Sequence, residues 1–228
     1  MQARGHALSG AAAFLAVAPT LSIAPAAVVV GTLLSAGAAT APDLDHPGST
    51  ISRSGGLTTR ALGSVVRMLA GGHRQATHSL LFVAAAGSAV QLFVVDPGAV
   101  VPAAAIVAVL VAVAGPLLAE SFGGRASLVG FLAAAAGSAA LVLTGRVPVG
   151  GWFTVAVAGG MLAHVVGDLL TPDGVPLLWP LRRRFGVGVF RTAGVVEDVV
   201  TVLLAAAAFG LAVRALLWAH GVDVGGQP

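Results

Sequence analysis

Seven apolar stretches run along this 228-residue chain, at about 7–20, 25–41, 77–95, 99–119, 127–144, 151–170 and 197–219. About 20 helical residues at 1.5 Å rise cross a hydrocarbon core of about 30 Å. The last five stretches therefore predict transmembrane helices. The first two are shorter and separated by Pro19 and Pro25, which predicts an N-terminal helical hairpin that enters the bilayer only partway. Residues 48–76 form the one sizeable polar segment between spans, and Leu57 to Leu69 within it predict an interfacial helix. Gly-Gly, Pro-Gly and Gly-Arg breaks mark the connections.

The expectation is an all-α, polytopic transmembrane bundle of about five full spans plus that hairpin. It forms a single integral-membrane domain over 1–228: a hairpin and PDLDH motif (1–47), a cytoplasmic loop with its interfacial helix (48–76), and the bundle (77–219). No internal repeat is visible, so an inverted-repeat transporter gains no support. A cleaved signal peptide is the competing account of residues 1–41, with Arg4 as its basic end and Ala36-Gly37-Ala38 as its cleavage box. Typical signal cores are about 7–15 residues long and lack two internal prolines.

Composition agrees with a membrane chain: 57% of residues are hydrophobic, 9% are charged, and the mean hydropathy is +0.96. Soluble domains carry about 25% charged residues. All twelve basic residues are arginine. The pI is near 11.3, but the net charge is only +3 and no basic stripe carries interleaved aromatics, so nucleic-acid binding is not predicted. The absence of cysteine excludes disulfides, iron–sulfur clusters and thiolate-bound zinc.

Arginine placement orients the bundle. Arg53, Arg60, Arg67 and Arg74 precede the third stretch, Arg125 lies between the fourth and fifth, and Arg182, Arg183, Arg184 and Arg191 lie between the sixth and seventh. These loops share one side, leaving Arg146 and Arg214 near the other. The positive-inside rule makes the first side cytoplasmic and places the N-terminus there, in a bacterial inner membrane.

Five of the six histidines lie near other histidines or carboxylates, four of them in three polar islands: PDLDH at 42–46, GGHRQATHS at 71–79 and HVVGD at 164–168, with His6 near the start. Ionisable groups cost roughly 2.5–3.5 kcal/mol each at a bilayer centre, so such clusters predict use. Imidazole with carboxylate and no thiolate suits a divalent metal, zinc foremost with manganese as the alternative. Span counting puts His6 and all three islands at the cytoplasmic face, where one site can gather them.

Asp43 and Asp45 alternate between Pro42 and Pro47, which predicts an extended loop with both carboxylates on one side. His46 follows directly. His73 and His78 are five apart, on a loop or helix start where Thr77 or Ser79 is available as N-cap. His164 and Asp168 stand four apart on one helix face, able to supply two ligands or a histidine held by its carboxylate. Arg74, Arg182 and Arg183 suit an anionic group, since guanidinium matches phosphate. His220 beside Asp223 lies at the opposite face, and Glu120, Glu197 and Asp198 read as caps or solvated ends.

With these residues in hand, the chain resembles the YdjM-like family of membrane-bound, metal-dependent hydrolases. The resemblance rests on Gly5-His6, PDLDHP at 42–47, GHR…THS at 72–79 and HVVGDLLTPDGVPLLWP at 164–180. It implies His6, Asp45, His46, His73, His78, His164 and Asp168 as metal candidates, with Asp43 and Asp168 as catalytic carboxylates. It also implies a distant similarity to zinc-dependent phospholipase C, which is helical. The expected activity is hydrolysis of a phosphoester or lipid headgroup at the cytoplasmic membrane face. A metal transporter or sensor without catalysis is the alternative, and it predicts polar groups continuing along several spans.

Overall fold

Each apolar stretch winds into helix in the computed structural model, which describes residues 1–122 and 128–219. The helices are α1 (Ala3–Val17), α2 (Pro25–Ala38), α3 (Thr50–Ser54), α4 (Gly56–Ala70), α5 (Leu80–Val94), α6 (Val100–Ser121), α7 (Leu128–Leu143), α8 (Gly151–Leu169) and α9 (Val195–Ala219). No β-strand occurs among the described residues; an isolated antiparallel bridge joins Val175 and Phe185. Arg125, His220 and Asp223 lie outside the described residues.

Four segments are long and apolar enough to cross a membrane: Pro25–Asp45, Val100–Ser121, Gly151–Leu169 and Val195–Ala215. The spans are thus distributed differently from the sequence expectation. α5 has 15 residues and α7 has 16, which at 1.5 Å per residue is roughly 22–24 Å, short of the core of about 30 Å. The second stretch gains length because the 3₁₀ turn Ala41–Asp45 continues α2. Pro42 is tolerated at the start of that turn because its missing N–H would be unsatisfied there anyway.

α1 is the central helix, packed on α2, α8 and α9; α2 also packs on α6 and α8, and α5 lies along α8. Small residues let these backbones touch. A Cβ on Gly10 of α1 would lie 2.5 Å from the Ser35 carbonyl oxygen, and one on Gly160 of α8 would lie 2.3 Å from the same atom. Ser35 Oγ donates to the Gly10 carbonyl at 2.9 Å, which satisfies a hydroxyl buried in an apolar crossing. α2 is thereby pinned between α1 and α8 at one point, which fixes how their ends meet.

A helix, α4, forms over the Leu57 to Leu69 segment. α4 rests on the 41–45 turn through Gly63, where a Cβ would stand 2.5 Å from the Leu44 carbonyl oxygen. Leu57, Leu62, Val65, Met68 and Leu69 remain exposed along its outer side. At α9, Glu197 is fully buried rather than solvated: its carboxylate accepts from the amides of Gln2 and Ala193, tying α9 to the start of α1.

Neighbouring glycines of α8 provide a test. Gly160→Ala forces the backbones apart and is expected to destabilise the protein by about 1–3 kcal/mol. Gly159→Ala meets open space and is expected to be neutral or to stabilise by roughly 0.5–1 kcal/mol through helix propensity. Thermal unfolding of the two variants in detergent, followed by tryptophan fluorescence, measures the contrast.

Candidate metal centre

Four separate segments converge at one end of the bundle. They are the first turn of α1 with His6, the 41–45 turn after α2, the 3₁₀ turn Ala76–His78 before α5, and the last turns of α8 with His164 and Asp168. His6, His78, His164, Asp45 and Asp168 are each at most 1% exposed. Groups so buried must satisfy one another.

His164 is anchored through Nδ1, which donates to the Ala39 carbonyl at 2.7 Å. Its Nε2 therefore carries a lone pair. His78 is fixed less directly. The Thr77 hydroxyl donates to Asp45 Oδ2 at 2.5 Å, so Thr77 Oγ1 is left to accept from His78 Nδ1 at 3.0 Å. In the neutral imidazole, His78 Nε2 then also carries the lone pair. The two Nε2 atoms face each other at 3.1 Å. Two lone pairs held nose to nose repel unless a cation lies near both. Nitrogens each about 2.0–2.1 Å from one zinc ion lie roughly 3.3 Å apart at a tetrahedral angle, close to the spacing found.

Carboxylates flank this pair. Asp43 Oδ1 lies 3.5 Å from His78 Nε2 and 3.8 Å from His164 Nε2, while Asp168 Oδ2 lies 3.7 Å from both. Asp168 Oδ2 is buried without an aligned hydrogen bond, although an Arg74 guanidinium nitrogen stands 3.0 Å away. Both ring nitrogens of His6 are likewise buried without one, and the ring stacks on His164 at 3.8 Å. Asp168 Oδ1 accepts from the Met1 amine at 2.6 Å. Three overlapping triads bring ligand atoms within 4.8 Å of one another: His78–His164–Asp168, His6–Asp43–His164 and Asp43–His73–His78. These donors fit a divalent metal: carboxylate oxygens and imidazoles converge, and His6 Nδ1, His6 Nε2 and Asp168 Oδ2 are buried without an aligned hydrogen bond.

Not every expected ligand takes that role. The 41–45 segment is a 3₁₀ turn rather than an extended loop, so the two carboxylates diverge. Asp43 faces His78 and His164. Asp45 turns toward the 73–78 loop, where its Oδ1 accepts from His73 Nδ1 at 2.7 Å and its Oδ2 accepts from Thr77 and, at 3.2 Å, from the Arg74 amide. Asp45 is thus an orienting carboxylate for two histidines and belongs to none of the triads. His46 stands beside the cluster; its Nδ1 accepts from the Gly48 amide at 3.1 Å and its ring meets the edge of His73. Ser79, not Thr77, caps α5 by accepting from the Phe82 amide at 3.1 Å.

Arg74 adopts a left-handed backbone (φ 54°), unusual for a residue with a side chain, after Gly71 and Gly72 at φ 82° and 123°. This turn aims its amide at Asp45 while its guanidinium reaches Asp168 and, at 3.4 Å, the exposed Asp173. Arg182 and Arg183 are not brought to the cluster. The bridge between Val175 and Phe185 (2.9 Å in both directions) folds their segment back, leaving them exposed at its tip, with Arg183 over the Phe185 ring. Neither Thr77 nor Asp173 is among the site residues the sequence predicts; Asp173 reads as part of the rigid turn Thr171-Pro172-Asp173-Gly174. Thr77 was legible only as a cap, and its actual role needs the fold that places Asp45 beside it.

The sequence is similar to that of known inner membrane proteins. Inner membrane protein YdjM of Escherichia coli (strain K12) is 45% identical over 73 residues, covering 30% of this chain and 36% of that protein, and the Shigella flexneri protein of the same name gives the same figures. The matched region thus spans about a third of the length of these curated relatives. No solved structure matches. The YdjM inner membrane protein family matches residues 1–222. The chain therefore belongs to the YdjM inner membrane protein family, as a multi-pass membrane protein of helical type.

Proposed function

We propose that this chain is a membrane-bound, metal-dependent hydrolase acting on a phosphoester or lipid headgroup, with its site on the cytoplasmic face. The observation that carries this is the opposed pair of Nε2 atoms, His78 and His164, 3.1 Å apart and flanked by Asp43 and Asp168. The expected likeness to zinc-dependent phospholipase C belongs to this proposal. His78, His164 and Asp168 would hold the ion, with His6 and His73 completing neighbouring positions through Asp43. When bound, a divalent cation there supplies Lewis acidity, polarising a phosphoryl oxygen and making water acidic enough to ionise near neutral pH.

The chain's own groups divide the remaining work. Asp168 is 1% exposed and already faces His6, Arg74 and the Met1 amine; it is a holding group. Asp43 is 21% exposed, so it is the carboxylate that water can reach and the one placed to take a proton as general base. Arg74 keeps Asp168 aimed at the histidines. Its longer contact with the exposed Asp173 is the one an incoming phosphate can replace.

Purified protein is expected to retain a divalent metal, zinc foremost, by elemental analysis and to hydrolyse a member of a phosphomonoester and phosphodiester panel. Chelation should abolish turnover and metal readdition restore it. Asp43→Asn is expected to lower kcat by about 10²–10⁴-fold with metal retained, whereas Asp168→Asn and His164→Ala should lose metal. A His164→Ala protein that keeps both metal and activity sinks the proposal. Thr77→Val removes the hydroxyl that orients His78 and should weaken metal affinity by about 10–100-fold, measured by competition with a chromogenic chelator.

A further inference from the structure

Between the 41–45 turn, α3 and α4 lies a cavity of about 460 Å³ that is lined by none of the triad residues. Arg53, Arg60 and Arg67 line it together with Asp45, Ser52 and Gly63. The arginine ion pairs among the described residues are those of Arg4 and Arg74, so three guanidinium groups surround this space without a carboxylate partner. Asp45 also lines the cavity, but both its oxygens are engaged by His73, Thr77 and the Arg74 amide.

The helix that carries two of these arginines has two working sides. Arg60, Gly63, Ser64 and Arg67 recur at the spacing of one face and line the cavity. Leu57, Met68 and Leu69, at 83%, 72% and 75% exposed, lie on another and have no protein cover. A short helix with an apolar outer side and arginines beside it lies in a membrane interface, at the depth of phosphate headgroups. The cavity is within the range of about 300–1,000 Å³ usual for small-molecule sites.

We propose that Arg53, Arg60 and Arg67 form an anion-binding subsite that takes the phosphate of a membrane lipid headgroup. Guanidinium forks match phosphate oxygens pairwise, and three of them favour a doubly charged phosphate over a carboxylate. That the subsite serves hydrolysis rests on the proposed metal centre; binding at the subsite does not.

The test uses the full chain in detergent, with calorimetry against three probes: dihexanoylphosphatidic acid below its micellar concentration, dihexanoylphosphatidylcholine and inorganic phosphate. Dihexanoylphosphatidic acid is expected to bind at least about tenfold more tightly than either other probe. Arg60→Gln/Arg67→Gln should weaken that binding at least about tenfold, while Arg146→Gln/Arg214→Gln, the same charge change elsewhere, should not. Inorganic phosphate binding as tightly, with the same dependence on Arg60 and Arg67, supports the anion subsite and moves its source to soluble phosphate. Metal-stripped protein should bind equally well, which separates this subsite from the metal centre. Binding of no probe, binding indifferent to Arg60→Gln/Arg67→Gln, or binding lost with the metal overturns the proposal.

Discussion

Two imidazole nitrogens with their lone pairs facing each other across 3.1 Å set the terms for this end of the molecule. The contact is unfavourable by itself, because neither nitrogen has a proton to share once the opposite ring nitrogens are engaged. Those engagements are local and strong: a backbone carbonyl for His164, and a threonine held by a carboxylate for His78. Rotating either ring to relieve the repulsion would strand a buried N–H and its acceptor, at about 1–3 kcal/mol for each group left unsatisfied. The arrangement therefore makes physical sense as a preorganised cation seat.

Holding that arrangement is the task of the helix crossings below it. The Ala39 carbonyl that anchors His164 lies just past the end of α2, one turn beyond Ser35. Ser35 is the point where Gly10 and Gly160 admit α2 between α1 and α8. A bulkier residue at either glycine would part these helices and shift the carbonyl relative to the imidazole. Packing with no chemistry of its own is thus coupled to ligand orientation a few ångströms away.

Much of this was legible in the chain itself. Apolar length predicts the helices, and span parity predicts that His6, Asp43, His78, His164 and Asp168 share one end. The division of labour between Asp43 and Asp45 was not legible. Two residues apart, they share a side in an extended strand and diverge in a 3₁₀ turn, and the prolines at 42 and 47 permit either. The apolar stretch at 77–95 is longer than its helix α5 because residues Ala76–His78 form a 3₁₀ turn before it. Arg182 and Arg183 looked like phosphate ligands by charge, but the backbone pairing of Val175 with Phe185, which no sequence periodicity announces, holds them at an exposed tip.

The distribution of buried charge bears on which chemistry the centre suits. Among the described residues, the buried ionisable side chains are His6, Asp45, His78, His164, Asp168 and Glu197. All belong to the end where α1 begins and α8 finishes. Deeper along the helices, the buried polar side chains are hydroxyls such as Ser35, Ser138 and Thr201. A pathway for ions needs charged or strongly polar groups at successive depths; a centre that works on a molecule arriving at the membrane surface needs them at one depth. The partly exposed Asp43, the contact between Arg74 and the exposed Asp173, and the arginine-lined cavity beside Asp45 lie at that same end. Concentrating its polar groups at one end lets the rest of the chain remain apolar enough for lipid, and it favours a surface reaction over a conduit.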